Sequence, residues 1–179
     1  MTGLIYGEEG ADMDRISVRK AGETDVEALA HILVTSFKTA FADIIREETI
    51  DRCANEENCR NMFAAICASG EGQFYIAELD GKPCGELYRR DGDELECSAH
   101  IVAIHSLPET WGCGIGKAMV EAALRDVREE RKKRVYLWAF KENHRARRFY
   151  EKNGFVWDGS ERVSEFDGAM EIRYTFEFV

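Results

Sequence analysis

Two segments of this chain hold residues whose types and spacing can do chemistry. The first is Trp111-Gly112-Cys113-Gly114-Ile115-Gly116-Lys117. Alternate glycines let a backbone take positive φ and let a ligand approach the main chain closely. If this loop opens a helix, the free N–H groups of the first turn and the helix dipole point at an anion, and a pyrophosphate fits such a place. The second segment is Asn143-His144-Arg145-Ala146-Arg147-Arg148-Phe149-Tyr150-Glu151-Lys152-Asn153-Gly154-Phe155. Asn143 suits a helix N-cap and Gly154 the residue just past its end. Ala146, Phe149 and Tyr150 fall on one face at i, i+3, i+4. A phenol near pKa ~10 can protonate a thiolate near ~8.5 at modest cost when it is well placed. Taken singly, the first segment reads more often as a structural turn and the second as an amphipathic surface helix.

The elements between and before them decide how they combine. Arg134 to Phe140 is an apolar strand, and the stretch from about Lys117 to Glu130 places Met119, Ala123 and Val127 on one helical face. A strand, helix, strand, helix order puts both helix starts at the same end of two adjacent parallel strands, where ligands bind in open sheets. Upstream, Arg15 to Arg19 alternates as a half-buried strand, and Thr24-Asp25-Val26-Glu27 reads as a capping box. Val26, Leu29, Ala30, Leu33 and Phe37 then share a face, and a second helix is expected near Glu57 to Cys67. Phe74 to Leu79, Pro83 to Tyr88 and Leu95 to Ser106 form an antiparallel meander with turns at Asp80-Gly81 and Asp91-Gly92. Phe155 to Val179 reads as two strands joined near Asp167-Gly168. Other phosphate-binding motifs fit less well. A P-loop needs Ser or Thr after Gly116-Lys117, where Ala118 stands. A dinucleotide fold needs its third glycine one residue later.

Bulk properties narrow the function classes. The 179 residues fit one domain, residues 15–179, behind an expected flexible acidic tail at 1–14. The net charge of −10 argues against a nucleic-acid partner and mildly favours cationic ones. No apolar run approaches the ~20 residues of a membrane span, and the start lacks the pattern of a signal peptide, so a cytoplasmic protein is expected. The six cysteines form no C-x-x-C pair and the four histidines no zinc spacing, so no metal is expected and the thiols read as reduced.

With these residues in place, the chain resembles the GNAT superfamily of N-acetyltransferases. Leu107 through Lys117 and Leu137 through Phe155 carry the likeness, supported by Ile16 to Ala21 with Asp25 and by Glu171-Ile172-Arg173-Tyr174. The resemblance implies an α/β (α+β) fold: a mixed, mostly antiparallel sheet of about seven strands flanked by helices. A V-shaped split would part the strand before the loop from the strand after its helix. It implies that acetyl-CoA lies in the split and that its acetyl group passes to a primary amine by direct attack. Main-chain groups of Ile104, His105 and Ser106 would then hold the pantetheine. The amides of Gly112, Cys113, Gly114, Ile115, Gly116 and Lys117 would hold the pyrophosphate. Asn143 would contact the cofactor and Tyr150 would be the general acid.

Three positions depart from the family pattern. Trp111 stands where Gln or Arg is usual, His100 stands where a glutamate is often found, and Ser106 replaces a common valine. The candidates for general base are His100, His105 and Glu96, with His100 preferred for its pKa range. On a regular strand His100 and His105 point to opposite faces. The acceptor would be a small-molecule or protein amine, and the resemblance makes a homodimer common. The alternative is an acyl-CoA-binding or sensing domain of the same fold that lacks an effective base.

Overall fold

The computed structural model describes residues 15–179; the acidic segment 1–14 lies outside the described residues. Strand β1 is Ile16–Lys20, followed by helices α1 (Val26–Ala40), α2 (Glu47–Cys53) and α3 (Glu56–Ser69). Strands β2 (Gln73–Leu79), β3 (Lys82–Asp91) and β4 (Ser98–Ser106) form the meander. Helix α4 (Ile115–Glu129), β5 (Arg134–Phe140) and α5 (His144–Lys152) follow, and β6 (Val156–Val163) and β7 (Met170–Glu177) complete the domain. All seven strands join one sheet in the order β1-β2-β3-β4-β5-β7-β6. Every neighbouring pair is antiparallel except β4 and β5. This is the mixed, split sheet that the sequence led us to expect.

Two local expectations need correction. Helix α1 does not start on a Thr24 capping box. A short 3-10 turn at Glu23–Asp25 precedes it, and the Asp25 carboxylate accepts from the Gly22 N–H at 3.0 Å and from Arg19 at 2.7 Å. Residues 47–53, for which no element was expected, form α2. Its N-terminal groups are satisfied from the distant β6–β7 loop. Asp167 accepts from the Arg46 N–H at 2.8 Å and from the Thr49 hydroxyl at 2.8 Å, and the Arg46 guanidinium beside it holds the carboxyl down at about 2. A partner 118 residues away lies beyond any local capping signal.

The core has two layers, one on each face of the sheet. Met119, Ala123 and Val127 of α4 are 0–1% exposed and pack over Tyr75, Ala77, Leu87, Val135 and Leu137. Leu29, Ala30 and Phe37 of α1 pack with Phe63 of α3 over Phe74, Ile76 and Phe140. Helix α4 can lie this close because Gly85 has no side chain. A Cβ there would sit 2.6 Å from Ile115 Cγ2 and 2.9 Å from Met119 Cε. Gly85→Ala is therefore expected to destabilise the fold by about 1–3 kcal/mol through overpacking. A urea melt checks this, and an unchanged midpoint would contradict it.

The split has an identifiable cause. Strands β4 and β5 pair only over Ser98–Ile101 and Arg134–Leu137. On the other edge of β4 the register runs from Tyr88↔Ala103 to Arg89↔Ile101, so Val102 is an extra, bulged residue. A bulge bends its strand and increases the local twist. Here it falls one residue past the last β4–β5 pair, and beyond it the two strands part.

Candidate active site

The parted strands open onto a cavity of about 910 Å³. Its walls come from α4 and α5 on one face and from α1 and α3 on the other, so the cavity passes through the sheet at the split. Its charged lining is sorted by sign. Lys117, Arg145, Arg148 and Lys152 line the α4–α5 end; Glu86 and Glu171 line the opposite end.

The cationic end is built on the glycine loop. Gly112 and Gly114 adopt φ of 85° and 89°, and Gly114 is the N-cap of α4 without a capping side chain. The amides of Ile115, Gly116 and Lys117 therefore have no acceptor within the helix. Gly116 also lets α5 approach, since a Cβ there would lie 3.0 Å from the Phe149 ring. Cys113 departs from the expected cradle. Its amide donates to the Thr110 carbonyl at 3.2 Å, and its side chain packs against the core instead of lining the cavity. The cavity brings together Ile104, His105 and Ser106 with Gly112, Gly114 and Ile115. Gly116, Lys117, Asn143 and Tyr150 line it as well.

Trp111 gains an explanation. Its indole N–H donates to the Ser106 carbonyl at 3.0 Å, and the Arg145 guanidinium lies 3.4 Å over its ring. The tryptophan thus ties the loop to the end of β4 and, through a cation–π contact, to the start of α5. This contact takes one of the two lone pairs of the Ser106 carbonyl.

Asn143 caps α5, accepting from the Ala146 N–H at 3.1 Å. About two turns later the helix delivers Tyr150, which is 7% exposed and packs edge-on to Phe155. Burial raises its pKa, and the charge of Arg145 opposes the rise. The other deeply buried tyrosines commit their hydroxyls elsewhere: Tyr75 to Asp126, Tyr136 to Asp93 and Tyr174 to Glu151. Tyr150 instead borders the cavity.

The base candidates separate clearly. Because of the bulge, His100 and His105 lie on the same face of the sheet and not on opposite faces. His100 stacks on Tyr136 at 4.5 Å, and the β5 side chains alternate so that Tyr136 and Phe140 share a face. His105 lies 6.2 Å from both Phe37 and Phe41, and Phe41 contacts Phe140. His105 borders the cavity, whereas His100 is buried outside it and Glu96 is exposed in the loop before β4. Burial brings both histidines down to about 4, so each is neutral near pH 7.

Sequence reasoning missed Glu86. It sits on β3 opposite His105 in the β3–β4 register and is 1% exposed. Both carboxyl oxygens lack a hydrogen-bond partner, and the residue lines the cavity. Desolvation pushes its pKa up to about 8. The signal available was a lone acid within the apolar run Cys84 to Tyr88, on a strand with neighbours on both sides.

A sequence model described as the acetyltransferase (GNAT) family matches residues 32–155. This chain belongs to the GNAT acetyltransferase family. An uncharacterized N-acetyltransferase of Archaeoglobus fulgidus is 26% identical over 140 residues, covering 75% of this chain and 89% of that protein. One from Mycobacterium tuberculosis is 27% identical over 137 residues, covering 76% and 86%. Among solved structures, the PaiA N-acetyltransferase of Thermoplasma acidophilum in complex with coenzyme A superposes with a TM-score of 0.73 at 20% identity, covering 91% of this chain and 99% of that one. YncA of Salmonella typhimurium, solved with acetyl-CoA, gives 0.67 at 16% identity, covering 91% and 94%. At such identities these structures establish the GNAT fold. Among the described residues of this GNAT domain, no helix is long and apolar enough to cross a membrane.

Proposed function

We propose that this GNAT domain transfers an acetyl group from acetyl-CoA to a primary amine by direct attack in a ternary complex. The observation that carries the reading is the sorting of charge along one cavity through the split. Cations and open helix-start amides stand at one end, and a buried, unpaired carboxylate stands at the other. The first end suits a pyrophosphate and the second an amine. Helix N-termini and nearby cations hold the cofactor's phosphates, and the thioester lies where β4 and β5 part.

Glu86 is the proton acceptor in this reading, in place of His100. A base with a pKa near 8 matches the operating pH, whereas an imidazole at about 4 is too weak to hold an amine's proton. The neutral amine attacks the thioester carbonyl carbon, and the carbonyl π pair moves to oxygen. Collapse of that intermediate breaks the C–S bond, Glu86 takes the amine proton, and the Tyr150 phenol protonates the departing thiolate. Burial keeps the phenol protonated and also makes a buried thiolate more basic, which keeps the two matched. A binding-only domain would lack an effective base, and the buried, unpaired Glu86 beside the cavity supports transfer over that alternative.

Thiol release tests the proposal. Acetyl-CoA and the protein should release little free CoA until a primary amine is added. Tight acetyl-CoA binding with no amine-dependent thiol release across a broad panel would refute transfer.

A further inference from the structure

The end of the cavity facing Glu86 has a definite chemistry of its own. Four phenylalanines close into a ring there: Phe37 meets Phe41 at 4.6 Å, Phe41 meets Phe140 at 5.2 Å, Phe140 meets Phe166 at 6.2 Å, and Phe166 returns to Phe37 at 6.2 Å. All four line the cavity, and Phe74 stacked on Tyr88 at 4.3 Å extends the aromatic wall. The four rings come from three separate parts of the chain: α1 and the residue just after it, β5, and the β6–β7 loop. Asp167 fastens that loop to the start of α2, which holds Phe166 in place.

Apart from Glu86 and the neutral His105 imidazole, the polar side chains at this end are paired. The Ser36 hydroxyl donates to the Leu33 carbonyl at 3.1 Å. Glu171 accepts from Arg162 at 2.7 Å and from Ser164 at 3.4 Å. Glu86 alone offers a carboxylate with both oxygens free among the described residues lining this end. One amine can therefore be matched. A second ammonium would be desolvated without a counter-charge, and hydroxyl or peptide groups would be buried unpaired.

We infer that the acceptor of this site is a monoamine with an apolar body of aromatic size, an arylalkylamine. This rests on the transfer reading for its chemistry, but the fit of the amine is a matter of binding. The amine nitrogen meets Glu86. The ring lies among the phenylalanines, which gain from apolar contact and edge-to-face packing. Polyamines, amino sugars and peptide N-termini are disfavoured.

The test pairs two readouts on the intact chain. 2-Phenylethylamine, ethylamine, spermidine and an alanyl tripeptide are compared in thiol release from acetyl-CoA. Each is also titrated calorimetrically into the CoA-loaded protein. 2-Phenylethylamine should exceed spermidine and the tripeptide in kcat/KM by at least about 100-fold. Phe166→Ala should weaken 2-phenylethylamine binding about tenfold and weaken ethylamine, whose body is too short to fill the ring, far less. Glu86→Gln should lose the preference for 2-phenylethylamine over 2-phenylethanol. Spermidine or the tripeptide matching 2-phenylethylamine in both readouts would overturn the assignment, as would absence of 2-phenylethylamine binding. Preferential binding of 2-phenylethylamine without thiol release would uphold the acceptor class and refute transfer instead.

Discussion

Glu86→Gln is expected to lower kcat/KM by about 10²–10³-fold and to erase the rise of activity with pH that centres near 8 in the parent protein. The amide has the size and shape of the carboxylic acid but cannot accept the amine's proton. The same substitution carries a stability signature that separates a buried acid from an ordinary surface one. Burial raises the Glu86 pKa from its ordinary 4.5 to about 8, so between those values the folded chain holds a proton that the unfolded chain has released. Stability contributed by the protonated form is present below about 4.5 and is lost as pH rises toward 8. The rise corresponds to roughly 5 kcal/mol between the two protonation states, part of which water entering the cavity will recover. Glu86→Gln should therefore melt close to the parent near pH 5 and on the order of 5–10 °C above it at pH 9. A melting difference independent of pH would show that the carboxyl is not held protonated by burial. A parent-like pH–rate profile in the variant would remove Glu86 from proton transfer.

Tyr150→Phe is expected to reduce turnover by about 10²–10³-fold while acetyl-CoA binding stays nearly unchanged. The ring contacts with Phe149, Phe155 and Tyr174 survive the change, so the fold should hold. In the proposed mechanism, loss of the hydroxyl removes only the proton donor for the thiolate. The defect should shrink when the leaving thiol is made more acidic, because a better leaving group needs less help. An aryl thioester of similar shape provides that comparison. Equal losses with both thioesters would place Tyr150 in positioning, and unchanged turnover would remove it from the reaction.

The sequence was informative where function depends on local backbone. Gly112, Gly114 and Gly116 sit at alternate positions because a loop that opens a helix needs positive φ and close approach, and both demands are local. The same holds for Asn143 as an N-cap and for the periodic face Met119, Ala123, Val127, whose spacing follows from helix geometry. The order of strand, glycine loop, helix, strand and tyrosine helix was enough to set both segments at one end of a parallel pair.

The aromatic, carboxylate-bearing end of the cavity was visible only in the tertiary structure. Glu86 looked like an ordinary acid in a short strand. It is a buried, unpaired carboxyl because β2 and β4 flank that strand and the helices of the α1 face close over it. The pairing of His100 and His105 with opposite faces failed at one residue, Val102, whose bulge inverts the alternation beyond it. Thr24 gave way to Asp25 as the start of α1 because Arg19, on a neighbouring strand, supplies the opposing charge. The phenylalanine ring collects residues from position 37 to position 166, a separation that no periodicity spans. Hydrogen bonds and helix periods are written into neighbouring residues, whereas desolvation is a property of everything that packs around a group. The sequence therefore determined the glycine loop and the tyrosine helix, and only the folded chain could decide which carboxylate would lose its water and line the cavity.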